Sequence, residues 1–510
     1  MFSRQLSSEE TARARRIRSL LLDDAGRPHL HANGDVRVER MARTFHRSIT
    51  QRLLAFADHL VPPPSLHCGS GGPGSQPTPG GGAQRRLGLR ENRWQFALFT
   101  LITLLVGMTI GVERVALPPL ARHAFGITSV LYTVAFISAF GAVKSGMNLL
   151  AGRLSDRLGR RRLLLIGWLF GVPYALLIIF AQAWWWVVAA NLFLGVNQGL
   201  TWSMSVTAKI DLVGPVNRGL AVGIDESAGY VGTGLGGFVG GLLAASYGLR
   251  PAPYLLALGV ILAGGLITLG PAQETLPWAR LEGEHRDAAS ETTPRKAPSL
   301  IQLARYMSWQ DRSMLAVCQA GFLNKFADSL VIGFFPLYFL HRGLSLAAVG
   351  VLVGVYAWVW GLGQVPAGAL ADRIGRRWPI TVGTMLIAAG IAVVIVSGAH
   401  ALWFVGVTIM GAGMALVYPN LITAVGDTAH PSWRGGALGV YRLWRDGGYA
   451  IGPLVFGAVA LAAGITAAFW TAAGLLGASA VVLLVLLDES DPQRRTRPPA
   501  WEDHPEWVAT

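Results

Sequence analysis

Ten formal charges sit inside long apolar stretches of this chain: Glu113, Arg114, Lys144, Asp225, Glu226, Lys325, Asp328, Arg442, Arg445 and Asp446. A charge facing hydrocarbon costs roughly 2.5–3.5 kcal/mol even on the lenient insertion scale, so such residues face protein or water and mark ion pairs, proton relays or solute contacts. Lys325 and Asp328 stand at i,i+3, the spacing of a pair on one helix face. Direct contact with a bound solute is the other use of the same ammonium. Asp225 and Glu226 precede Gly229, Gly232, Gly236 and Gly240 on one helical face, and Arg442, Arg445, Asp446, Tyr449 and Pro453 repeat that relation. These two sets read either as gate pairs that re-form between states or as a static network. A buried carboxylate that keeps its proton suits a proton-coupled device, and Glu226, Asp225 and Glu113 are the candidates in that order. Glu113 and Arg114 fall near one end of their stretch, where coupling and a plain interface charge are both open.

The elements that must carry these charges follow from composition. The chain has 510 residues, 52% hydrophobic and 14% charged, which is the balance of a membrane protein. Apolar runs of about 20 residues, enough to cross ~30 Å of hydrocarbon as helix, begin at Trp94. They cover 94–117, 128–150, 163–183, 185–206, 219–246, 253–271, 313–339, 345–367, 379–398, 401–425, 436–460 and 465–487. The expected fold is an all-α membrane protein of twelve transmembrane helices, with six-helix bundles at 94–271 and 313–487 and a loop of 272–312 between them. Lys325 lies about twelve residues into the seventh run, near the midplane. Asn324, Asn197 and Gln198 are at a similar depth, with Trp358, Trp360 and Gln364 close by, which predicts a polar and aromatic central cavity.

Short loops after runs 2, 4, 8 and 10 collect the basic residues, including Arg157, Arg160, Lys209, Arg218, Arg373, Arg376 and Arg434, whereas the opposite loops hold Arg122, Arg250 and Arg342. By the positive-inside rule both termini and the central loop are cytoplasmic, in a multi-pass protein of the plasma or inner membrane. The same loops account for the net charge of +14 without nucleic acid, since no reader motif accompanies it. Residues 1–92 form a basic extension in which Ser7 and Glu10 suggest a capping box. Val38, Met41, Phe45, Ile49 and Leu53 fall at helical spacing, and a Pro/Gly-rich linker follows from Val61. Residues 488–510 form a tail. Two cysteines, Cys68 and Cys318, exclude a disulfide framework. No metal-ligand cluster, no nucleophile with a base and no nucleotide-binding glycine loop appear, so neither an enzyme nor a cofactor is expected.

"GRLSDRLGRRR" from Gly152 and "GALADRIGRRW" from Gly368 stand 216 positions apart. The same shift superposes Gly195 on Gly411, Thr207 on Thr423, Asp211 on Asp427, Pro215 on Pro431, Arg218 on Arg434 and Gly223 on Gly439. Parallel repeats of six helices are an architecture of secondary transporters. The phrase G-x-L-A-D-R-x-G-R-R resembles a signature of the major facilitator superfamily, here as Gly152, Leu154, Asp156, Arg157, Gly159, Arg160, Arg161 and Gly368, Leu370, Asp372, Arg373, Gly375, Arg376, Arg377. Ser155 departs from it, the family's arginine is missing before Gln198-Gly199, and the glycine-rich fifth run lacks its proline.

That resemblance implies that runs 3, 6, 9 and 12, which contain no charge, pack outermost. It also implies that the loop after run 2 abuts the start of run 11, and the loop after run 8 the start of run 5. Asp156 and Asp372 would then latch the halves at those helix starts. The implied function is alternating-access secondary transport of a small solute, with proton-coupled efflux placed ahead of uptake of an organic anion or sugar. The protein would be a monomer in the bilayer. A transporter-like sensor acting through the N-terminal extension is the reading from another class.

Overall fold

Apolar runs of this length have no water for their backbone groups and close their hydrogen bonds along the helix. The computed structural model describes residues 85–127, 130–290 and 297–503; the amphipathic helices and linker expected near the N-terminus lie outside the described residues. The first half comprises α1 (Arg93–Phe125), α2 (Val130–Leu158), α3 (Arg160–Ile179), α4 (Trp184–Val213), α5 (Arg218–Tyr247) and α6 (Ala252–Leu269). The second comprises α9 (Arg312–His341), α10 (Leu346–Ile374), α11 (Arg377–Val396), α12 (His400–Thr428), α13 (Arg434–Ala463) and α14 (Ile465–Leu486). Between them lie α7 (Leu276–Ser290), α8 (Leu300–Arg305) and a π-helical turn at Tyr306–Gln310, where the sequence suggested a long loop. Among the described residues ten helices are long and apolar enough to cross a membrane. Of the other long helices, α4 carries Asn191, Asn197, Gln198, Lys209 and Asp211, which lower its hydropathy.

Several helices run further than the apolar runs. α2 and α10 continue through the repeated phrase, so Gly152, Asp156, Arg157, Gly368, Asp372 and Arg373 lie on final helical turns and not in loops. The chain breaks at Gly159 and Gly375, whose φ values of 90° and 95° suit a residue without Cβ. α4 continues to Val213, so Lys209, expected in a positive loop, is a buried helical residue. Arg160, Arg218, Arg376 and Arg434 are buried as well, because each has a carboxylate partner inside the fold.

One apolar core gathers side chains from Phe99 to Trp278; the second runs from Leu303 to Trp501 and takes in Val206, Ile210 and Val222 from α4 and α5. α3, α6, α11 and α14 present exposed Leu169, Leu266, Val396 and Val485 on the outside. The halves meet along two seams, α2 with α13 and α5 with α10. Gly152 lies so close to Gly435 and Gly439, and Gly368 so close to Gly219, that any added Cβ would overlap the opposite backbone.

Candidate functional site

At the end bearing the repeated phrase, each aspartate sits on the start of a helix from the other half. Asp156 accepts from the Gly435 and Gly436 amides of α13 at 3.1 and 2.8 Å. Asp372 accepts from the Gly219 and Leu220 amides of α5 at 2.9 and 2.8 Å. These amides lack intrahelical acceptors and carry the positive end of the helix dipole, so a carboxylate there gains ~0.3–2 kcal/mol. The neighbouring arginines turn inward: Arg160 reaches Asp211 at 2.8 Å and Arg376 reaches Asp427 at 3.0 Å. Each of those aspartates also receives an arginine from across the seam, Arg434 on Asp211 at 3.4 Å and Arg218 on Asp427 at 2.7 Å. Arg157 and Arg373 stay exposed.

Glu282, on α7, completes this network. Its Oε1 accepts from Arg218 at 2.7 Å and Arg434 at 2.5 Å. Burial alone would raise its carboxyl, but the two guanidiniums hold it at about 2. Glu274 caps α3 through the Arg160 and Arg161 amides at 2.8 and 3.0 Å, and Glu489 caps α11 through those of Arg376 and Arg377 at 2.9 and 3.3 Å.

Beyond the closed end, two polar clusters fill the centre. In one, Lys325 donates to Asp328 at 2.9 Å and to the Tyr230 hydroxyl at 3.2 Å, while Tyr356 donates to Asp328 at 3.1 Å. The ammonium lies 4.7 Å from the Trp360 ring centre and 4.9 Å from that of Tyr418, a cation–π box. In the other, Arg445 grips Asp446 through two bonds of 2.8 and 3.0 Å, and Asn148 donates to the same carboxylate at 2.5 Å. Ser203 links Asn148 to Arg442, which stands 3.9 Å from Glu226; Trp202 donates to Glu226 at 3.0 Å. Lys144 faces the Trp202 ring at 5.3 Å. A cavity of about 550 Å³ opens beside the first of these clusters, with Arg114, Tyr230, Asp328, Tyr356 and Trp360 in its wall.

A family model for the Major Facilitator Superfamily matches residues 99–318 and 317–510. This chain belongs to that superfamily. The uncharacterized MFS-type transporter STM4428 of Salmonella typhimurium is 24% identical to the facilitator over 388 residues, spanning 74% of this chain and 93% of the relative. Multidrug resistance protein MdtG of Citrobacter koseri is 26% identical over 358 residues, 68% of this chain and 82% of its own. Among solved structures, the human organic anion transporter MFSD10 superposes with a TM-score of 0.64 at 21% identity, over 77% of this chain and 99% of that one. The proton:xylose symporter XylE reaches 0.62 at 16% identity, over 78% and 97%. Both likenesses are of fold.

Within the facilitator, the charges in apolar stretches divide by depth and partner. Lys325, Asp328, Arg442, Arg445, Asp446, Glu226 and Lys144 gather at the centre. Asp225 does not: it pairs with Lys209 and accepts from Thr103 at 2.7 Å inside the first half. Asn197, Gln198 and Asn324 also miss the cavity. Asn197 donates to the Gly167 carbonyl of α3 at 2.7 Å, Gln198 to Thr109 of α1 at 2.8 Å, and Asn324 to the Met414 sulfur of α12 at 3.0 Å. Glu113 is buried and does not line the cavity, whereas Arg114 does. Trp358 is 58% exposed and belongs to the outer wall of the same opening, whereas Trp360 points inward. The sequence reading missed Tyr230, Tyr356 and Tyr418, whose signal is only an aromatic inside an apolar run, and Glu282, which looked like one acid in a hydrophilic segment.

Proposed function

We propose that this facilitator exports a small solute by alternating access in exchange for protons. The observation that carries the reading is the exchange of ion pairs across the seams: Arg218 with Asp427 and Arg434 with Asp211 close one end, while the cavity opens beyond it. A closed end built from reciprocal contacts is a two-state element, which alternating access requires. On this reading all twelve long helices span the membrane and the arginine-rich end is cytoplasmic, so the state described is open to the outside. The relative MdtG, named for multidrug resistance, supports export.

Among the described residues, Arg114 and Lys144 have no carboxylate within ion-pair distance, which suits an anionic or zwitterionic solute. Glu226 is the proposed proton carrier: it is fully buried, and its Oε1 has no hydrogen-bond partner and lies 3.9 Å from Arg442. Protein reconstituted in liposomes with an imposed proton gradient tests this. The solute should move against the proton flow, and Glu226→Gln should stop gradient-driven accumulation while leaving solute exchange. Solute and protons moving together would replace export with uptake.

A further inference from the structure

The two seams between the halves are equivalent by the 216-residue repeat but differ at one equivalent level among the described residues. On the α2–α13 side, Gly141 packs against Ala450. The equivalent pair on the other side is Ala357 of α10 and Gly234 of α5, and both line the cavity. The α5–α10 seam holds at Gly219 with Gly368, at Gly223 with Gln364 and at Tyr230 with Gly361, then parts. A Cβ added at Gly234, Gly350 or Gly354 would meet no atom within 4 Å. The mouth of the gap is flanked by Phe238 and Trp358, 66% and 58% exposed, and Arg114 lies in its wall.

From this geometry we infer that the α5–α10 gap is a lateral portal for a single-chain anionic amphiphile, its carboxylate on Arg114 and its tail between the helices facing hydrocarbon. The inference rests on the export reading and names its substrate class and route. A largely apolar groove whose wall carries Arg114 and an Asp328 already paired with Lys325 selects such a molecule: the guanidinium matches a carboxylate fork, and the glycine-lined walls leave room for a methylene chain. A neutral sugar would leave the guanidinium without a countercharge. At the equivalent level of the other seam the backbones of Gly141 and Ala450 are in contact.

The test is photolabelling of the full chain in phosphatidylcholine nanodiscs with a laurate carrying a diazirine at its tail. Saturable labelling of 234–238 and 350–362 is expected, with laurate competing at least tenfold better than dodecylamine. Arg114→Gln should lower the labelling about tenfold and Arg114→Lys should retain most of it. Gly354→Leu, which fills open space, should block it with Arg114 intact. Labelling spread evenly over α6, α11 and α14, indifference to Arg114→Gln, equal competition by the amine, or loss of labelling when phosphatidylglycerol is added would each overturn the portal. The readout is occupancy and not flux. Labelling without export would therefore leave the portal and remove the transport reading, and export without labelling would do the reverse.

Discussion

Arg218 and Arg434, related by the internal repeat, donate to the same carboxylate oxygen of Glu282 at 2.7 and 2.5 Å. Two buried cations thus share one anion on an element outside both repeats. The arrangement ties the starts of α5 and α13 to α7 and makes the connecting segment part of the closed end.

Replacing Glu282 by Gln leaves two guanidiniums short of charge in a buried site, and breaking a buried pair this way costs about 3–5 kcal/mol. A large fall in thermal stability is expected in detergent. The folded carboxyl at about 2 lies below its ordinary 4.5. Its contribution is therefore complete above about pH 4.5 and lost as pH falls toward 2. Wild-type and Glu282→Gln melting curves should stay separated from pH 5 to 8 and converge in acid.

Asp156→Asn and Asp372→Asn remove a full charge from a helix start, worth ~0.3–2 kcal/mol each. Because tenfold in population corresponds to about 1.4 kcal/mol, either change should visibly populate a state open at the arginine-rich end. Spin labels at the exposed positions 157 and 373 report it as a longer distance component. An unaltered distribution in both variants would remove the clamp role.

Lys325 and Asp328 form a buried pair within a ring of aromatics. Lys325→Met and Asp328→Asn should each destabilise by several kcal/mol, and the double variant should recover part of the loss. A double-mutant cycle in melting experiments measures the coupling; strict additivity would separate the two side chains energetically.

Asp225→Asn should lower stability without changing solute affinity, because Lys209 and Thr103 enclose the carboxylate inside the first half. Arg442→Gln, at the central cluster, should change affinity. Equal loss of affinity in the two variants would place Asp225 in the solute path.

His430, between α12 and α13, donates from Nε2 to Asp287 and accepts at Nδ1 from the Ser432 amide, and burial holds its ring down at about 4 despite the Asp287 carboxylate. The unfolded ring takes its proton near pH 6.5 and the folded one does not, so stability is full above 6.5 and declines from there toward 4. His430→Gln should flatten that part of the stability profile.

Helix positions, the repeat and the residues that must avoid lipid were legible because hydrophobic runs, a fixed 216-residue shift and the cost of a charge in hydrocarbon are properties of the chain read locally. The repeated phrase and the ten embedded charges needed no coordinates to find. Partners were another matter. Asn197, Gln198 and Asn324 lie at the depth of the cavity, but depth does not give azimuth, and helix packing turned them into the contacts of α4 with α3 and α1 and of α9 with α12. Four of the arginines counted as loop charges proved to be internal, because their acids lie 51 to 223 positions away: Asp211 for Arg160 and Arg434, Asp427 for Arg376 and Arg218. Which carboxylate meets which guanidinium, and whether the residues at a given level of a seam touch, as Gly141 and Ala450 do, or line a cavity, as Gly234 and Ala357 do, depends on how the halves close on each other; only the tertiary structure decides that.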